Sequence, residues 1–336
     1  MELLLLALIG VIMAPTVFVA GLHDVPNSIA IPVRTRALTA TVATRLAALF
    51  NALGVLLALP LGVHLFAWFE LPPMDPALVL AVVLSSLLAL LGWNLFTYFR
   101  GMPTSTTHAL LAAFLGGALA AVAVADLAPA DILGLPWFTP LMTLLLSPLI
   151  AFGVAYLLVF LAVRVARGED PDEVNSVSRA VQSVCVGVTS LGTGLLQGQR
   201  FSFVLLIALF AAGVDDATSW MPLAYVVFAI LIGAACLTGG WRIGHVLGHR
   251  LVAVDPLRGM VSTTVTSGLL FVGSLGLPLS TSLVAASAIM GAGSNQRFAT
   301  VNWRQFLRIF AYWAATPLAA GGAAAVFTLA LSPLVT

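Results

Sequence analysis

Hydroxyl-bearing side chains gather twice in this chain in the same context. Residues 103–108 read PTSTTH and residues 278–283 read PLSTSL, each beginning two residues after a glycine and each leading into a run of small apolar residues. Ser105, Thr106 and Thr107 in the first stretch, and Ser280, Thr281 and Ser282 in the second, fall where a helix would begin. Hydroxyls there stand beside backbone N–H groups that lack an intrahelical acceptor. Together such donors suit the oxygens of a tetrahedral oxyanion without adding fixed charge. A single cluster of this kind is more often an ordinary helix cap. Two in matching contexts favour a binding site.

A second kind of chemistry sits in GLHDVPNSIA, residues 21–30, which follows eighteen uncharged residues. His23 and Asp24 are ionisable groups in an apolar setting, which is costly and marks function by default. Gly21, Pro26 and Pro32 predict that the helix is interrupted here, freeing backbone groups to hold an ion. The polar counterpart in the other half of the chain is SLGTGLLQGQ, residues 190–199. His23, Asp24, Asn27, Asn51 in FNALG and Gln197 are the candidate cation ligands, with a helix–helix hydrogen bond as the alternative for Asn51. His108, one turn beyond Ser105, is placed to hold a hydroxyl or a substrate proton, or else is a satisfied buried histidine. His64, His245 and His249 fall near segment ends, toward water or headgroups.

The elements that must position these residues are membrane helices. Of the 336 residues, 61% are hydrophobic and 8% charged. Uninterrupted apolar runs recur at 3–20, 38–62, 77–99, 104–125, 139–163, 203–212 with its upstream half, 218–240, 259–277, 279–294 and 306–331. A bilayer takes about 20 apolar residues to cross as a helix, and continuous runs do not fit the in-and-out alternation of a β-barrel. The fold class is an all-α polytopic membrane protein of ten to twelve helical segments. A net charge of +1, with every basic residue an arginine, leaves no nucleic-acid footprint. Cys185 and Cys236 lack metal spacing and read as inert buried thiols. The first segment lacks a basic start and a small-x-small cleavage site, so it reads as a retained helix.

Arginines cluster at 34–45, 164–179, 242–258 and 297–308, whereas the connections 62–76, 126–138 and 213–217 carry acids such as Glu70, Asp126 and Asp215 and no arginine. The positive-inside rule makes the arginine clusters cytoplasmic and puts both termini outside. The polar stretch RVARGEDPDEVNSVSR, residues 164–179, divides two halves. With residues 1–163 as one repeat, 164–180 as a cytoplasmic linker and 181–336 as the other, the halves enter the membrane from opposite sides, the pattern of a secondary transporter with inverted repeats and broken helices. Whether 77–125 is a re-entrant hairpin or two full spans stays open. In the first case Arg100 lies near a tip and pairs with an anion; in the second it anchors the cytoplasmic side.

In order and spacing, GLHDVPNS at 21–28, FNALGVLL at 50–57, GWNLFTYFRGMPTSTTH at 92–108, LLSPLIAFGVAYLLVFL at 145–161, GGWRIGHVLGHRLVAVDPLRG at 239–259, GLPLSTS at 276–282 and VNWRQFLRI at 301–309 resemble the PiT family of inorganic phosphate transporters over nearly the whole chain. The resemblance implies inverted repeats, hairpins whose Pro-Ser-Thr tips meet near the membrane midplane, and an Asn/His-Asp motif in each half for the coupling cation. The chain departs from the family pattern where Leu191–Gly198 replaces His-Gly-Ala-Asn-Asp-x-Gln-Lys. Gly194 and Leu195 stand for the Asn-Asp pair there, and Gln197 survives. Leu283 stands where the second tip usually has His, and Pro26 replaces a small residue.

The implied activity is symport of inorganic phosphate across the plasma (inner) membrane, with H+ favoured over Na+ because one Asp beside a His suits a proton better than a pair of hard cations. The implied partners are phosphate, the coupling cation, the lipid bilayer and, as an open alternative, a second copy in a homodimer. No cofactor, metal or nucleic acid is expected. Sulfate or another oxyanion, and a non-transporting sensor or partner subunit, stand as alternatives. A hydrolase built on Ser105 and His108 is set aside, since no Gly-x-Ser-x-Gly elbow or separate base is present and the hydroxyl cluster is duplicated.

Overall fold

The computed structural model describes residues 1–61, 69, 71–136, 138–296 and 301–335; His64, Glu70 and Arg297 lie outside the described residues. Twelve α-helices follow one another: α1 (Glu2–Arg34), α2 (Ala40–Leu61), α3 (Pro76–Phe99), α4 (Thr106–Val124), the short α5 (Ala130–Leu133), α6 (Phe138–Val165), α7 (Pro171–Ala211), α8 (Met221–Thr238), the short α9 (Trp241–His245), α10 (Pro256–Gly273), α11 (Thr281–Ser294) and α12 (Trp303–Val335). No strand occurs among the described residues. Among the described residues eight helices are long and apolar enough to cross a membrane: α1, α2, α3, α4, α6, α7, α8 with the 3-10 turn before it, and α12. At 1.5 Å per residue the fourteen residues of α11 reach about 21 Å, short of the roughly 30 Å hydrocarbon core.

Local chemistry sets several helix starts. Asp75, Asp170 and Asp255 each precede a proline at the first helical position, and their carboxylates accept from the N–H of Ala77, Asp172 and Arg258 at 2.8, 2.7 and 2.9 Å. The aspartate satisfies a free donor, and proline brings its φ already fixed and no N–H to satisfy. Helix α7 therefore starts at Pro171, and the polar connection expected over 164–179 shrinks to residues 166–170.

Neither expected helix break is present. Helix α1 runs unbroken through Pro15, Pro26 and Pro32, and α7 runs unbroken through 190–199. Proline in a helix removes one backbone bond, and in a membrane protein neighbouring elements can accommodate the freed carbonyl. For Pro26 that carbonyl is Leu22 O, and Gly240, at φ +54°, packs on it so closely that a Cβ would fall 2.3 Å away. In α7 the glycines serve close packing rather than unwinding. A Cβ on Gly194 would lie 2.2 Å from Asn51 O, and one on Gly54 would lie 2.2 Å from Leu191 O. Small residues let the backbones of α2 and α7 touch, the usual device for helix association in lipid.

Helices α3 and α4 form one hairpin and α10 and α11 another, with positive φ at Gly101 and Gly276 in the respective turns. The packing partners match between the halves. Helix α2 packs on α7 and α8 on α1; α1 packs on α3 and α7 on α10; α12 packs on α3 and α4, and α6 on α10 and α11. The outer faces of α6 and α12 expose Leu149, Leu157, Phe160, Leu318 and Val326, whereas serines, threonines and amides gather in the interior. An apolar outer surface, with polar groups buried among the apolar core, suits a protein solvated by lipid.

Candidate functional site

The hydroxyl residues that follow the two hairpin turns are buried in the protein. Ser105 and Ser280 are the N-caps of α4 and α11, with nearly equal backbone angles (φ −94°, ψ 110° and φ −91°, ψ 103°), and each accepts from the N–H three residues on, His108 at 3.2 Å and Leu283 at 3.4 Å. All six tip hydroxyl residues are buried, and the tips touch: Thr107 Oγ1 donates to Leu279 O at 3.1 Å.

The second tip closes on the polar segment of α1. Thr281 Oγ1 donates to Asp24 Oδ1 at 2.7 Å, and Asn27 Nδ2 donates to Ser282 Oγ at 3.1 Å. Asp24 and Asn27 are three residues apart on a continuous helix, so they share a face. The other carboxylate oxygen, Oδ2, accepts from Gln197 Nε2 of α7 at 3.0 Å. Gln197 is thus brought to Asp24 by a helix that stays intact, without any break at Gly192–Gly198.

The first tip closes on α7 instead. Arg200 is fully buried, and its Nη2 donates to Thr107 Oγ1 at 2.8 Å. Arg200 and Gln197 also lie three apart on one helix face. Asp24 and Arg200 interact electrostatically across the site, but among the described residues no ion-pair contact joins them. Arg200 is the residue that the sequence reading passed over. The signal was there: one arginine directly after SLGTGLLQGQ and ahead of an apolar run, belonging to none of the four cytoplasmic clusters. An ionisable group in that position is a candidate by default.

His23 Nε2 lies 2.8 Å from Asn94 O, and since a carbonyl only accepts, this nitrogen carries the proton. Thr97 Oγ1 lies 3.3 Å from the same nitrogen and accepts from Thr104 Oγ1 at 3.1 Å, linking α1 to the first turn. His23 therefore faces the α3 hairpin while Asp24 faces α7 and α11. Asn94, Thr97 and Thr104 join the network without having been expected there.

Three candidates stand apart. Arg100 caps the end of α3, exposed, with its guanidinium 5.1 Å from the Phe96 ring. Asn51 donates to Ala47 O of its own helix at 2.8 Å, so its amide neither bridges helices nor reaches Asp24 in this arrangement. His108 Nδ1 accepts from Trp313 Nε1 at 3.2 Å, and the two rings meet edge-on. Its side chain is held by α12, not by Ser105. His245 and His249 are exposed and stacked at 5.0 Å.

Several buried polar atoms in this interior have no hydrogen-bond partner: Asn27 Oδ1, Gln197 Oε1, Thr106 Oγ1, His23 Nδ1, both amide atoms of Asn94, and Arg200 Nε and Nη1. Buried polar groups are nearly always satisfied, so such a concentration marks a place built to receive something polar. The donors lie with Arg200 and the first tip, and the free acceptors include the amide oxygens of Asn27 and Gln197 beside Asp24.

Residues 20–324 match the model of the phosphate transporter family. The chain is 32% identical to a probable low-affinity inorganic phosphate transporter of Rhizobium meliloti, covering 90% of this chain and 89% of the relative. It is 31% identical to one of Bacillus subtilis, covering 98% and 99%. A solved structure titled the sodium-dependent phosphate transporter superposes with a TM-score of 0.69 at 18% identity, covering 98% and 99%, a likeness of fold. With eight helices fit to span a bilayer and relatives that are transporters rather than enzymes, the chain is an integral membrane protein of the phosphate transporter family.

Proposed function

We propose that this chain is a symporter that carries inorganic phosphate inward across the plasma membrane together with a proton, with both termini outside and with residues 1–163 and 181–336 as inverted repeats. The phosphate identity is supported by the family and by the names of the relatives. The repeat reading is supported by the matched packing partners and by the paired serine-capped tips.

The observation that carries the proton is the state of Asp24. Both of its oxygens already accept hydrogen bonds, from Thr281 and Gln197, and the polar segment 190–199 of α7 offers no second acid, since Gly194 is pressed on Asn51 and Leu195 is core. A single buried carboxylate can take a proton without a coordination shell. A second reading, sodium, is favoured by the unpartnered oxygens of Asn27 and Gln197 beside that carboxylate, because a hard cation needs several oxygen ligands. Uptake of labelled phosphate into proteoliposomes decides between them. The proton reading expects uptake driven by an inward pH gradient and indifferent to replacing sodium with choline. Strict sodium dependence without response to an uncoupler would overturn it. Competition by sulfate in the same assay tests the choice of oxyanion.

A further inference from the structure

Arg200 carries the observation that reaches furthest. Its guanidinium is wholly removed from solvent, yet only Nη2 has a partner, the Thr107 hydroxyl at 2.8 Å, while Nε and Nη1 have none. Asp24, the carboxylate with which it interacts electrostatically, does not fill those donors, because its own two oxygens are held by Thr281 and Gln197. A guanidinium offers a planar set of N–H donors that matches a phosphoryl group, and burying such donors without a partner is costly. Thr107 lies in the first turn of α4, whose N-terminus also favours negative charge. Thr106 Oγ1 in the same turn is buried and free.

Charge adds a second step. Asp24 and Arg200 sum to zero when the site is empty. An anion loaded alone leaves the interior negative, and a cation loaded alone leaves it positive. Each is penalised where water cannot screen it. Loading one monovalent cation with one monovalent anion restores neutrality.

We propose that Arg200 is the direct partner of the anion at the first tip, and that its charge, set against that of Asp24, ties anion binding to cation binding in a one-to-one ratio for monovalent ions. Arg200 is a resident positive charge beside a polar segment, residues 190–199 of α7, that carries no acid. A cation on Asp24 cancels the carboxylate and leaves the guanidinium free to bind the anion. Dihydrogen phosphate is then preferred to a dianion such as sulfate, which would leave one negative charge uncompensated. The proposal rests on the reading of the hairpin tips as the phosphate site.

Equilibrium binding of labelled phosphate to the purified full-length protein, at a series of pH values and sodium concentrations, tests it. In the wild type, phosphate affinity rises with the coupling cation. Asp24→Asn mimics the cation-loaded state, so phosphate binds at least as tightly as to the wild type and without dependence on pH or sodium, although coupled uptake is lost. Arg200→Gln weakens phosphate binding by about tenfold to a hundredfold, the scale of a lost charge-assisted hydrogen bond. Arg200→Lys keeps the charge but not the fork; it binds with intermediate affinity and retains the cation dependence, and it serves where the glutamine variant does not fold. Wild-type phosphate affinity in Arg200→Gln, or unchanged cation dependence in Asp24→Asn, overturns the proposal. If Thr106→Val and Thr281→Val weaken binding while Arg200→Gln does not, the tip site stands and only the role of Arg200 falls. If none of the three weakens binding, the tip site falls with it.

Discussion

The polar segments of α1 and α7 hold matching places in the two halves, and each is met by the hairpin tip of the opposite half. Their chemistry differs. In α1 the face toward the second tip carries a carboxylate and an amide, Asp24 and Asn27; in α7 the face toward the first tip carries an amide and a guanidinium, Gln197 and Arg200. The helix packing partners correspond and the cap angles of Ser105 and Ser280 nearly match, while the charges are opposite. One scaffold therefore carries a negative side chain in one polar segment and a positive one in the other, and likeness of backbone gives no licence to transfer a ligand set from one to the other.

The sharpest way to break the comparison is to neutralise its negative pole. Asp24→Asn should abolish concentrative phosphate uptake in proteoliposomes, because among the described residues no other acid hydrogen-bonds within this cluster; normal accumulation would remove Asp24 from the mechanism. The close-packed side of α7 comes next. Gly194→Val should prevent α2 and α7 from meeting, because its Cβ would start 2.2 Å from Asn51 O, whereas Gly10→Val in α1, with nothing within 4 Å, should be silent. Thermal unfolding in detergent would show a loss of about 1–3 kcal/mol or more for the first and little change for the second.

Removing one tip hydroxyl at a time sharpens the pairing further. Thr281→Val takes a donor from Asp24, and Thr107→Val takes the acceptor from Arg200. Each should cost roughly 1–3 kcal/mol for the partner left unsatisfied, the first read as altered pH dependence of uptake and the second as weaker phosphate affinity. At the bottom of the scale, Arg100→Ala should shift phosphate affinity by less than about 0.5 kcal/mol, as for an ordinary exposed position. A larger loss would bring Arg100 back toward the site.

Much of this site was legible because expensive groups stand out in an apolar chain. Asp24 and the duplicated Ser-Thr tips could be picked out by type and spacing, and the structure brings them within hydrogen-bond distance of one another. Glycine and proline misled where they had two meanings. At 21–32 and 190–199 they suggested unwinding, yet Gly194 marks a backbone contact with α2, and the carbonyl freed by Pro26 is covered by Gly240. Sequence pattern cannot distinguish a glycine needed for its torsion angle from one needed for its missing side chain. Arg200 is hard to read for a different reason: the positive-inside rule uses arginines in connections as topology markers, and an arginine inside a helix contributes nothing to that count. The preference of Asn51 for its own helix and of His108 for Trp313 depends on rotamer and neighbour, which spacing does not encode.

The cross-engagement of the halves also bears on biosynthesis. Asp24 emerges early from the ribosome, yet Gln197 is 173 residues further along the chain and Thr281 is 257. Thr107 likewise precedes its partner Arg200 by 93 residues. The first half thus enters the bilayer with its carboxylate and its hydroxyl tip unsatisfied and must be sheltered, by water or by the insertion machinery, until the second half arrives. A chain that stops at the 166–170 loop would keep five of the spanning helices and complete neither pole of the site, which makes the truncated product a natural target for membrane quality control.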